Sequence, residues 1–425
     1  MALGLYISVP FCRTKCSYCN FASDVFSKQK FDAYVERVAF DMARAVEIAA
    51  QADAHLERRA DTVYLGGGTP TVLSPEQFTA LFAAARRSFE IDPAAEITVE
   101  CAPGTLTPAM LDALLAAGVN RVSLGVQSLV DAEASAVGRL HTRAIVLDDI
   151  ARLRAAGISN LNVDLIAGLP HQTDASWQES LAIAVETGVP HLSVYMLEVD
   201  EDSRLGRELL AGGKRYHAHF VPDEDTVARL YTTACETLDA AGVRQYEISN
   251  YARANFESRH NLKYWTREPY FGLGVDAHSM LPPAEGEMKE AGVDALRFGT
   301  PWELAEFMTW DGETACEIIS PTSALEETFF LGLRLNRGIG LAEVAAKFGE
   351  QEVKELDGII FDLLKDELCR LERGRLLLTP RGRLLSNEVF ERFVSIGTLD
   401  DLPDILGLDP DDPRLAQIAA SLKIQ

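Results

Sequence analysis

The sequence predicts an α/β protein: a partial barrel of six β/α units, followed by an extension and a C-terminal winged-helix-like module. Over about the first 250 residues, short β-rich runs alternate with helical stretches, the pattern of parallel strands joined by right-handed crossovers. The chemically distinctive side chains follow the ends of these strands, where barrel enzymes carry their chemistry. Because a doubly wound sheet does not place every motif at one end, an open or partial barrel is favoured.

The β/α units are predicted from this alternation. The strands are expected at Leu3–Val9, Thr62–Leu65, Glu96–Glu100, Arg121–Gly125, Asn160–Leu165 and His191–Met196. The helical stretches are expected at Phe31–Ala50, Pro75–Ser88, Pro108–Ala117, Asp131–Val137, Arg143–Ala156 and Ala175–Thr187. Since the strands are parallel, the segments that follow them meet at one rim of the barrel.

The remaining sequence divides into two further parts. After a barrel domain over residues 1–220, residues 221–319 form an extension rich in Tyr, Trp and His, with a linker or surface turn at Pro282–Gly286. Residues 320–425 form a module whose helices precede a hairpin at Leu371–Pro380, turning at Glu372–Gly374. The helices are expected at Ser323–Leu333, Leu341–Phe348 and Val353–Leu371. This order resembles a winged-helix module.

Charge and hydropathy limit the partners of the chain. The 425 residues include 40 Lys and Arg against 64 Asp and Glu, for a formal net charge of −24. This balance repels phosphate backbones, so we expect no nucleic-acid binding and a packing or partner role for the C-terminal module. No apolar run reaches the ~18 residues that suggest a membrane span, and Met1–Pro10 lacks the features of a signal peptide. We therefore expect a cytoplasmic protein with no membrane span.

Three of the seven cysteines are closely spaced after the first strand. Cys12, Cys16 and Cys19 form a C-x3-C-x2-C motif, and thiolates at this spacing can reach three corners of a 4Fe–4S cluster. The fourth iron is then open, and S-adenosylmethionine (SAM) can chelate it through its amino and carboxylate groups. An electron from the reduced cluster can cleave the sulfonium. The motif therefore predicts a radical SAM protein.

Two other interpretations of the triplet are a structural zinc site and three buried thiols. Zinc requires four ligands in a closed tetrahedron, and no fourth Cys or His lies near this loop. Buried thiols rarely cluster at such spacing. The other four cysteines are scattered on apolar patterns, which indicates core positions: Cys101, Cys235, Cys316 and Cys369.

Further polar residues at the same rim are candidates for binding SAM. The run Gly66–Pro70 (GGGTP) follows the second strand, and its glycines allow close approach of the backbone to a ligand. Glu100 and Asp164 are carboxylates at strand ends that can bind ribose hydroxyls or an ammonium group. Gln127 and Arg139 can hold the ribose and the carboxylate. Each residue alone is consistent with a structural role, but their shared position favours ligand binding.

These and other motifs resemble the family of oxygen-independent coproporphyrinogen III oxidases and their relatives. They are Tyr6, the cysteine loop, GGGTP at 66–70, GVQS at 125–128, NVDLIAGLP at 162–170 and HNLKYW at 260–265. The resemblance runs from Tyr6 to about Met280, and the C-terminal module fits it. The SAM contacts that it implies are Tyr6, Gly67, Gly68, Thr69, Glu100, Gln127, Arg139 and Asp164, with Tyr18 at a position that contacts a second SAM in the oxidases.

Within the family, the chain resembles the haem chaperone branch. The oxidases have a fourth Cys two residues after the third, where this chain has Phe21, and an N-terminal extension, where only five residues precede Tyr6. The motif His260–Trp265 is similar to that of the chaperones, in which it is linked to haem binding. Two departures from the family are His171, where Gly is usual, and Cys101, where Asn is common in the chaperones.

The resemblance implies a protein that binds haem and delivers it to clients such as respiratory enzymes, with an electron donor for the cluster. His260 is the candidate axial ligand, with Tyr264 and Trp265 as an apolar wall and His278 as a second candidate ligand. The alternative for His260 is a loop-ordering role through hydrogen bonds. Two other functions stay open: oxidative decarboxylation of coproporphyrinogen III, which Phe21 and the short N-terminus disfavour, and radical SAM chemistry on another substrate.

Overall fold

The computed structural model describes residues 2–394, which are organised around one mixed sheet of twelve strands. At its centre, six parallel strands pair in chain order. They are β1 (Leu3–Val9), β2 (Arg59–Gly67), β3 (Glu90–Cys101), β4 (Arg121–Gln127), β5 (Asn160–Ala167) and β6 (His191–Met196). β1 and β5 are buried along nearly their whole length, as parallel strands covered by helices are. The predicted α/β fold is confirmed.

Between residues 2 and 200, the helices follow the strands as the alternation predicted. They are α1 (Gln29–Ala43), α2 (Ala45–Gln51), α3 (Pro75–Ser88), α4 (Pro108–Ala116), α5 (Asp131–Ala136), α6 (Arg143–Ala155) and α7 (Asp174–Thr187). Ser74 and Gln77 form a capping box that begins α3. The prediction of one helix over Phe31–Ala50 is wrong, because the backbone of Arg44 (φ −99°, ψ 8°) leaves the helical region and separates α1 from α2.

The extension adds strands to both edges of the same sheet. After α8 (Arg204–Ala211), which precedes the extension, its elements are α9 (Glu224–Ala240), β7 (Arg244–Gln245), β8 (Asn250–Ala252), α10 (Arg259–Trp265), β9 (Tyr270–Leu273), β10 (His278–Leu281), α11 (Glu287–Glu290), β11 (Ala295–Gly299), α12 (Leu304–Thr309) and β12 (Cys316–Ile319). The strand order is β12-β11-β10-β9-β1-β2-β3-β4-β5-β6-β8-β7. β9 is parallel to β1, whereas β10, β11 and β12 are antiparallel to their neighbours. The segment is therefore structurally continuous with the barrel.

The C-terminal module has its own core and, over residues 320–394, a three-stranded antiparallel sheet. Its elements are α13 (Pro321–Gly332), β13 (Ile339–Gly340), α14 (Leu341–Phe348), α15 (Glu350–Glu355), α16 (Asp357–Lys365), β14 (Cys369–Glu372), β15 (Arg375–Leu378), α17 (Pro380–Leu384) and α18 (Ser386–Glu391). The predicted hairpin is present as β14 and β15, and its turn uses Arg373 and Gly374 at positive φ. The remainder of the predicted module, residues 395–425, lies outside the described residues.

One helix prediction in this module is wrong. The stretch Val353–Leu371 contains the end of α15, the whole of α16 and then the first residues of β14. Glu367 takes a positive φ of 57° and ends the helical path, so that Cys369 enters the sheet opposite Leu378. The periodic apolar residues of this stretch belong to two short helices and a strand, which pack in one small core.

Among residues 2–394, no helix is long and apolar enough to cross a membrane.

Candidate cofactor site at the strand ends

The three cysteines lie on the loop that follows β1, and hydrogen bonds hold this loop at several points. The backbone N–H of Cys12 donates to the carbonyl of Asp24 (3.0 Å), and that of Ser17 donates to the carbonyl of Val137 (3.1 Å). The ammonium of Lys15 donates a hydrogen bond to the carbonyl of Phe21, within the same loop (2.8 Å). The loop is therefore fixed to the rest of the rim before any cofactor binds.

The thiols are surrounded by donors suited to bound thiolates. Thr69 Oγ1 donates to Cys12 Sγ (3.8 Å), and a guanidinium nitrogen of Arg139 donates to Cys16 Sγ (3.5 Å). Burial raises the pKa of the Cys12 and Cys19 thiols, and the neighbouring thiols raise it further. The three sulfur atoms thus share one partly buried pocket in which an added positive charge, such as iron, favours the thiolate form.

This pocket does not have the geometry of a single-ion site. Among residues 2–394, no three His, Cys, Asp or Glu side chains converge closely enough to ligate one metal ion. Thiolates on three corners of a four-iron cube lie farther apart than the ligands of one ion. A 4Fe–4S cluster therefore stays the prediction for Cys12, Cys16 and Cys19.

The glycine run after β2 serves close packing on the cysteine loop. A Cβ on Gly68 would lie 2.8 Å from the carbonyl oxygens of Val9 and Phe11, so only glycine fits. The backbone N–H groups of Gly68 and Thr69 donate to these same two carbonyls at 2.9 and 2.8 Å. These two hydrogen bonds hold the Cys12 loop against β2, and contact of the run with SAM stays a prediction.

Six polar residues of the barrel form what we call the rim cluster: Tyr6, Tyr64, Glu100, Gln127, Arg139 and Asp164. Each is half-buried. Tyr6 is the one partly exposed position in β1, and Asp164 is the one partly exposed position between Leu161 and Ala167. Partly accessible polar side chains at these otherwise buried positions are candidates for contact with a polar ligand.

The two carboxylates of the rim cluster differ in their partners. Glu100 accepts a hydrogen bond from the Tyr64 hydroxyl (2.9 Å), and burial, aided by the charge of Asp164, raises the pKa of Glu100 to about 7. Asp164 accepts from Ser123 Oγ (3.1 Å) and Asn162 Nδ2 (2.7 Å), and burial also raises the pKa of Asp164. A ligand with an ammonium group or hydroxyls would stabilise the charged form of both.

Gln127 and Arg139 lie where the rim cluster meets the cysteine loop. Gln127 ends β4 at a positive φ of 73°, a conformation that costs free energy for a residue other than glycine. Arg139 donates to the carbonyl of Gly125 and to Cys16, whereas its buried Nε has no partner among the described residues. Tyr18 lies close enough to Arg139 and Cys16 for both charges to affect its pKa. One guanidinium therefore joins the thiol pocket to the rim cluster.

The residues that position Asp164 and Glu100 were not identified from the sequence. Tyr64, Ser123 and Asn162 are polar residues inside otherwise apolar strands. The sequence could have indicated Ser123 and Asn162. They precede Gly125 and Asp164 by two residues, which places them on the same face of their strands. Alternation alone does not show which polar residues of different strands meet.

His260 lies below Tyr6 and Tyr64, and both of its ring nitrogens are engaged. Nδ1 is 2.8 Å from Thr62 Oγ1 and Nε2 is 2.9 Å from the Tyr264 hydroxyl. The residue is 1% exposed, and burial lowers the pKa of His260 to about 3, so the ring is neutral. This geometry matches the loop-ordering alternative; iron ligation by Nε2 would require Tyr264 to move away.

The other residues linked with His260 lie apart from it. The His278 side chain is 64% exposed and lies 3.5 Å from Asp276. Trp265 lines a cleft of about 490 Å³ between α10 and the C-terminal module, where the guanidinium of Arg334 lies 4.3 Å from its ring centre. No cysteine and no residue of the rim cluster lines this cleft. His260 is not among the residues that line this cleft, and the role of Trp265 as an apolar wall for haem stays a prediction.

Replacing Glu100 by glutamine is expected to stabilise the cluster-free protein at high pH. Because the pKa of Glu100 rises from 4.5 to about 7 on folding, its contribution is complete below about pH 4.5 and is lost as the pH rises through 7. The loss reaches at most about 3 kcal/mol, since a tenfold change in proton affinity is worth about 1.4 kcal/mol. Urea unfolding at about pH 5 and pH 8 measures the difference, and an equal effect at both would contradict the prediction.

Two family models match the chain. The model described as the Radical SAM superfamily matches residues 6–184, and the HemN C-terminal domain matches residues 319–385. The first range runs from β1 into α7 and contains the three cysteines and the whole rim cluster. The second lies at the start of the C-terminal module.

Relatives are similar over nearly the full length. The chain is 32% identical to "Heme chaperone HemW" of Lactococcus lactis over 93% of this chain and 97% of that protein. It is 33% identical to the protein of the same name from Bacillus subtilis, over 92% and 98%. A protein of Bos taurus named "Radical S-adenosyl methionine domain-containing protein 1, mitochondrial" is 32% identical over 89% and 83%.

One solved structure has a similar overall fold. Coproporphyrinogen III oxidase (HemN) from Escherichia coli, described as a radical SAM enzyme, superposes with a TM-score of 0.77 at 22% identity, covering 93% of this chain and 90% of that one. The partial barrel, the extension and the C-terminal module are thus one shared architecture. At this identity the likeness concerns the fold alone.

Proposed function

The chain belongs to the HemW family of the radical SAM superfamily, and from this membership we propose that it binds haem and inserts it into client proteins such as respiratory enzymes. The observation that carries the proposal is the 32% identity to the Lactococcus lactis chaperone over 97% of that protein. Phe21 supports it, because an exposed phenyl ring stands where the oxidases have a fourth cysteine.

Membership of the superfamily implies a 4Fe–4S cluster and SAM, and the residues at the rim fit both groups. In this proposal Cys12, Cys16 and Cys19 ligate the cluster, and Thr69 and Arg139 donate hydrogen bonds to the sulfur atoms of Cys12 and Cys16. Such donors stabilise thiolates and influence the reduction potential. When bound, the cluster and SAM together supply one-electron chemistry.

The rim cluster is proposed to hold SAM beside the cysteines. Glu100 and Asp164 accept hydrogen bonds from the ammonium and the ribose, and Gln127 binds the ribose hydroxyls. The unpartnered Nε of Arg139 donates to the carboxylate of SAM while its other nitrogens stay on Cys16 and Gly125. Both functions of Arg139 use one rigid guanidinium, so SAM and the cluster are positioned relative to each other.

The proposed partners are haem, a haem-accepting client and an electron donor for the cluster. The formal net charge of −24 disfavours nucleic acid as a ligand of the winged-helix-like module. A protein surface is the partner that we propose for that module. A cytoplasmic location stays a prediction of the sequence.

We expect the anaerobically reconstituted protein to bind haem and to lack coproporphyrinogen III oxidase activity. Titration with ferric haem should produce a saturable Soret band that differs from that of free haem, because coordination by a side chain changes the absorption of the iron porphyrin. With SAM, a reductant and coproporphyrinogen III, no protoporphyrinogen IX should form. The oxidase from Escherichia coli serves as the positive control.

Production of protoporphyrinogen IX, together with no haem binding, would overturn the proposal in favour of the oxidase. A protein that does neither would indicate radical SAM chemistry on another substrate. The haem must also remain bound during gel filtration, because a hydrophobic porphyrin that is only adsorbed to the protein surface is lost in this step.

A further inference from the structure

Three of the eight histidines lie together outside the rim cluster and are not used in the function described above. His171 follows β5, and His217 and His219 lie at a 3-10 helix over Ala218–Phe220. Nε2 of His171 is 3.0 Å from Nδ1 of His217. The rings of His171 and His219 pack on Phe220, with ring centres 4.0 and 4.1 Å apart. The histidine pair and the phenyl ring form one partly exposed group.

The backbone holds this pair in an unusual conformation. His171 and His217 have positive φ angles of 67° and 61°, and each costs free energy relative to glycine. The loop before His217 is fastened by Glu208, whose buried carboxylate accepts from the backbone N–H groups of Arg215 (2.8 Å) and Ala218 (3.2 Å). The N–H of His171 donates to the carbonyl of Phe220 (3.0 Å). The two imidazoles are therefore pre-positioned.

The hydrogen bond between the rings leaves one nitrogen suited to a metal. If the proton is on Nδ1 of His217, that nitrogen donates to Nε2 of His171, and the lone pair on Nε2 of His217 is free. No group among residues 2–394 hydrogen-bonds to this Nε2. Histidines that ligate metals commonly use one nitrogen for the metal and donate the other N–H to a neighbouring acceptor. His171 is the acceptor here, and burial and the neighbouring imidazoles lower the pKa of His171, which favours the neutral ring.

The surface next to the pair matches the chemistry of a porphyrin. α8 packs against the 3-10 helix, and Leu209, Leu210 and Phe220 expose large apolar side chains there. In a chain with a formal net charge of −24, the segment 204–215 is locally basic, with Arg207 and Lys214 exposed. Exposed apolar side chains in a locally basic segment suit an apolar ligand with two carboxylates, as haem is.

We propose that His217 ligates the iron of bound haem, with His171 as the hydrogen-bonding partner that positions its ring. This inference rests on the proposed haem-binding function and assigns its site. The haem would lie on α8, whose Leu205 N–H donates to the carbonyl of Ser17 (2.8 Å) on the cysteine loop. The site is therefore attached directly to the cluster loop, whereas His260 has no free ring nitrogen.

The test is a titration of the full-length, cluster-reconstituted protein with ferric haem, followed by absorption and EPR spectroscopy. His217→Asn is the informative variant, because Asn tolerates positive φ and retains a hydrogen-bonding side chain but is a poor ligand for haem iron. We expect its haem affinity to fall about tenfold or more and its Soret and EPR signatures to change. Added imidazole should restore the wild-type spectrum by occupying the vacated coordination position.

Three further variants locate the ligand. His171→Gly should lower the affinity about tenfold while the iron keeps its imidazole ligand, as loss of a hydrogen-bonding partner of a metal ligand does. His260→Ala and His278→Ala should leave the spin state and ligand field of the bound iron unchanged. Circular dichroism and cluster content confirm folding in each case.

A His217→Asn variant with the wild-type affinity and spectrum would overturn the inference and leave the proposed function intact. A spectrum lost only in His260→Ala or His278→Ala would also overturn it and move the ligand there. If the wild-type protein binds no haem, both the inference and the proposed function fail.

Discussion

Replacing Cys12, Cys16 or Cys19 by alanine is expected to abolish the 4Fe–4S cluster. In the proposed site each thiolate ligates one iron, so that each substitution removes one of the three protein ligands of the cluster. Anaerobic reconstitution should give about one cluster per wild-type chain and almost none in each variant. Iron and sulfide analysis and the broad visible absorbance of thiolate-ligated iron measure the loss.

Cys316→Ala is the matched control for these variants. Cys316 is partly exposed, like Cys12 and Cys19, but it lies on β12 at the far edge of the sheet from β6. Its cluster content should equal that of the wild type. A cluster that persists in all three single variants, or zinc in place of iron, would refute the assignment of the triplet.

Replacing Asp164 by alanine is expected to weaken SAM binding about ten- to a hundredfold without loss of the cluster. One hydrogen bond to a charged group is worth roughly 1.5–3 kcal/mol, and the variant also removes the acceptor of the Ser123 hydroxyl. Glu100→Ala should have an effect of similar size, because it removes the other carboxylate and frees the Tyr64 hydroxyl.

The measurement is the change in the EPR spectrum of the reduced cluster on titration with SAM. Glu198→Gln is the control, because Glu198 follows β6 at the same rim but is exposed to solvent and is outside the rim cluster. It should retain nearly the wild-type affinity. If SAM leaves the spectrum of the wild-type protein unchanged, the open-iron interpretation is wrong.

The features that the sequence determined by itself are those with a local cause. Cys12, Cys16 and Cys19 are close in space because they are within eight residues of one loop. The six parallel strands and the hairpin of the C-terminal module follow from apolar periodicity and, in the hairpin, from a glycine at positive φ. Short-range geometry leaves few alternatives in each case, so residue type and spacing were sufficient.

Only the tertiary structure decided how distant segments meet. β9 pairs in parallel with β1, from which it is separated by more than 250 residues, and α10 thereby carries His260 beneath Tyr6. The raised pKa of Glu100 and the contact between His171 and His217 have the same origin. Burial, hydrogen-bond partners and charge environment depend on which segments pack together. That choice minimises the free energy of the whole chain, and no short stretch of sequence encodes it.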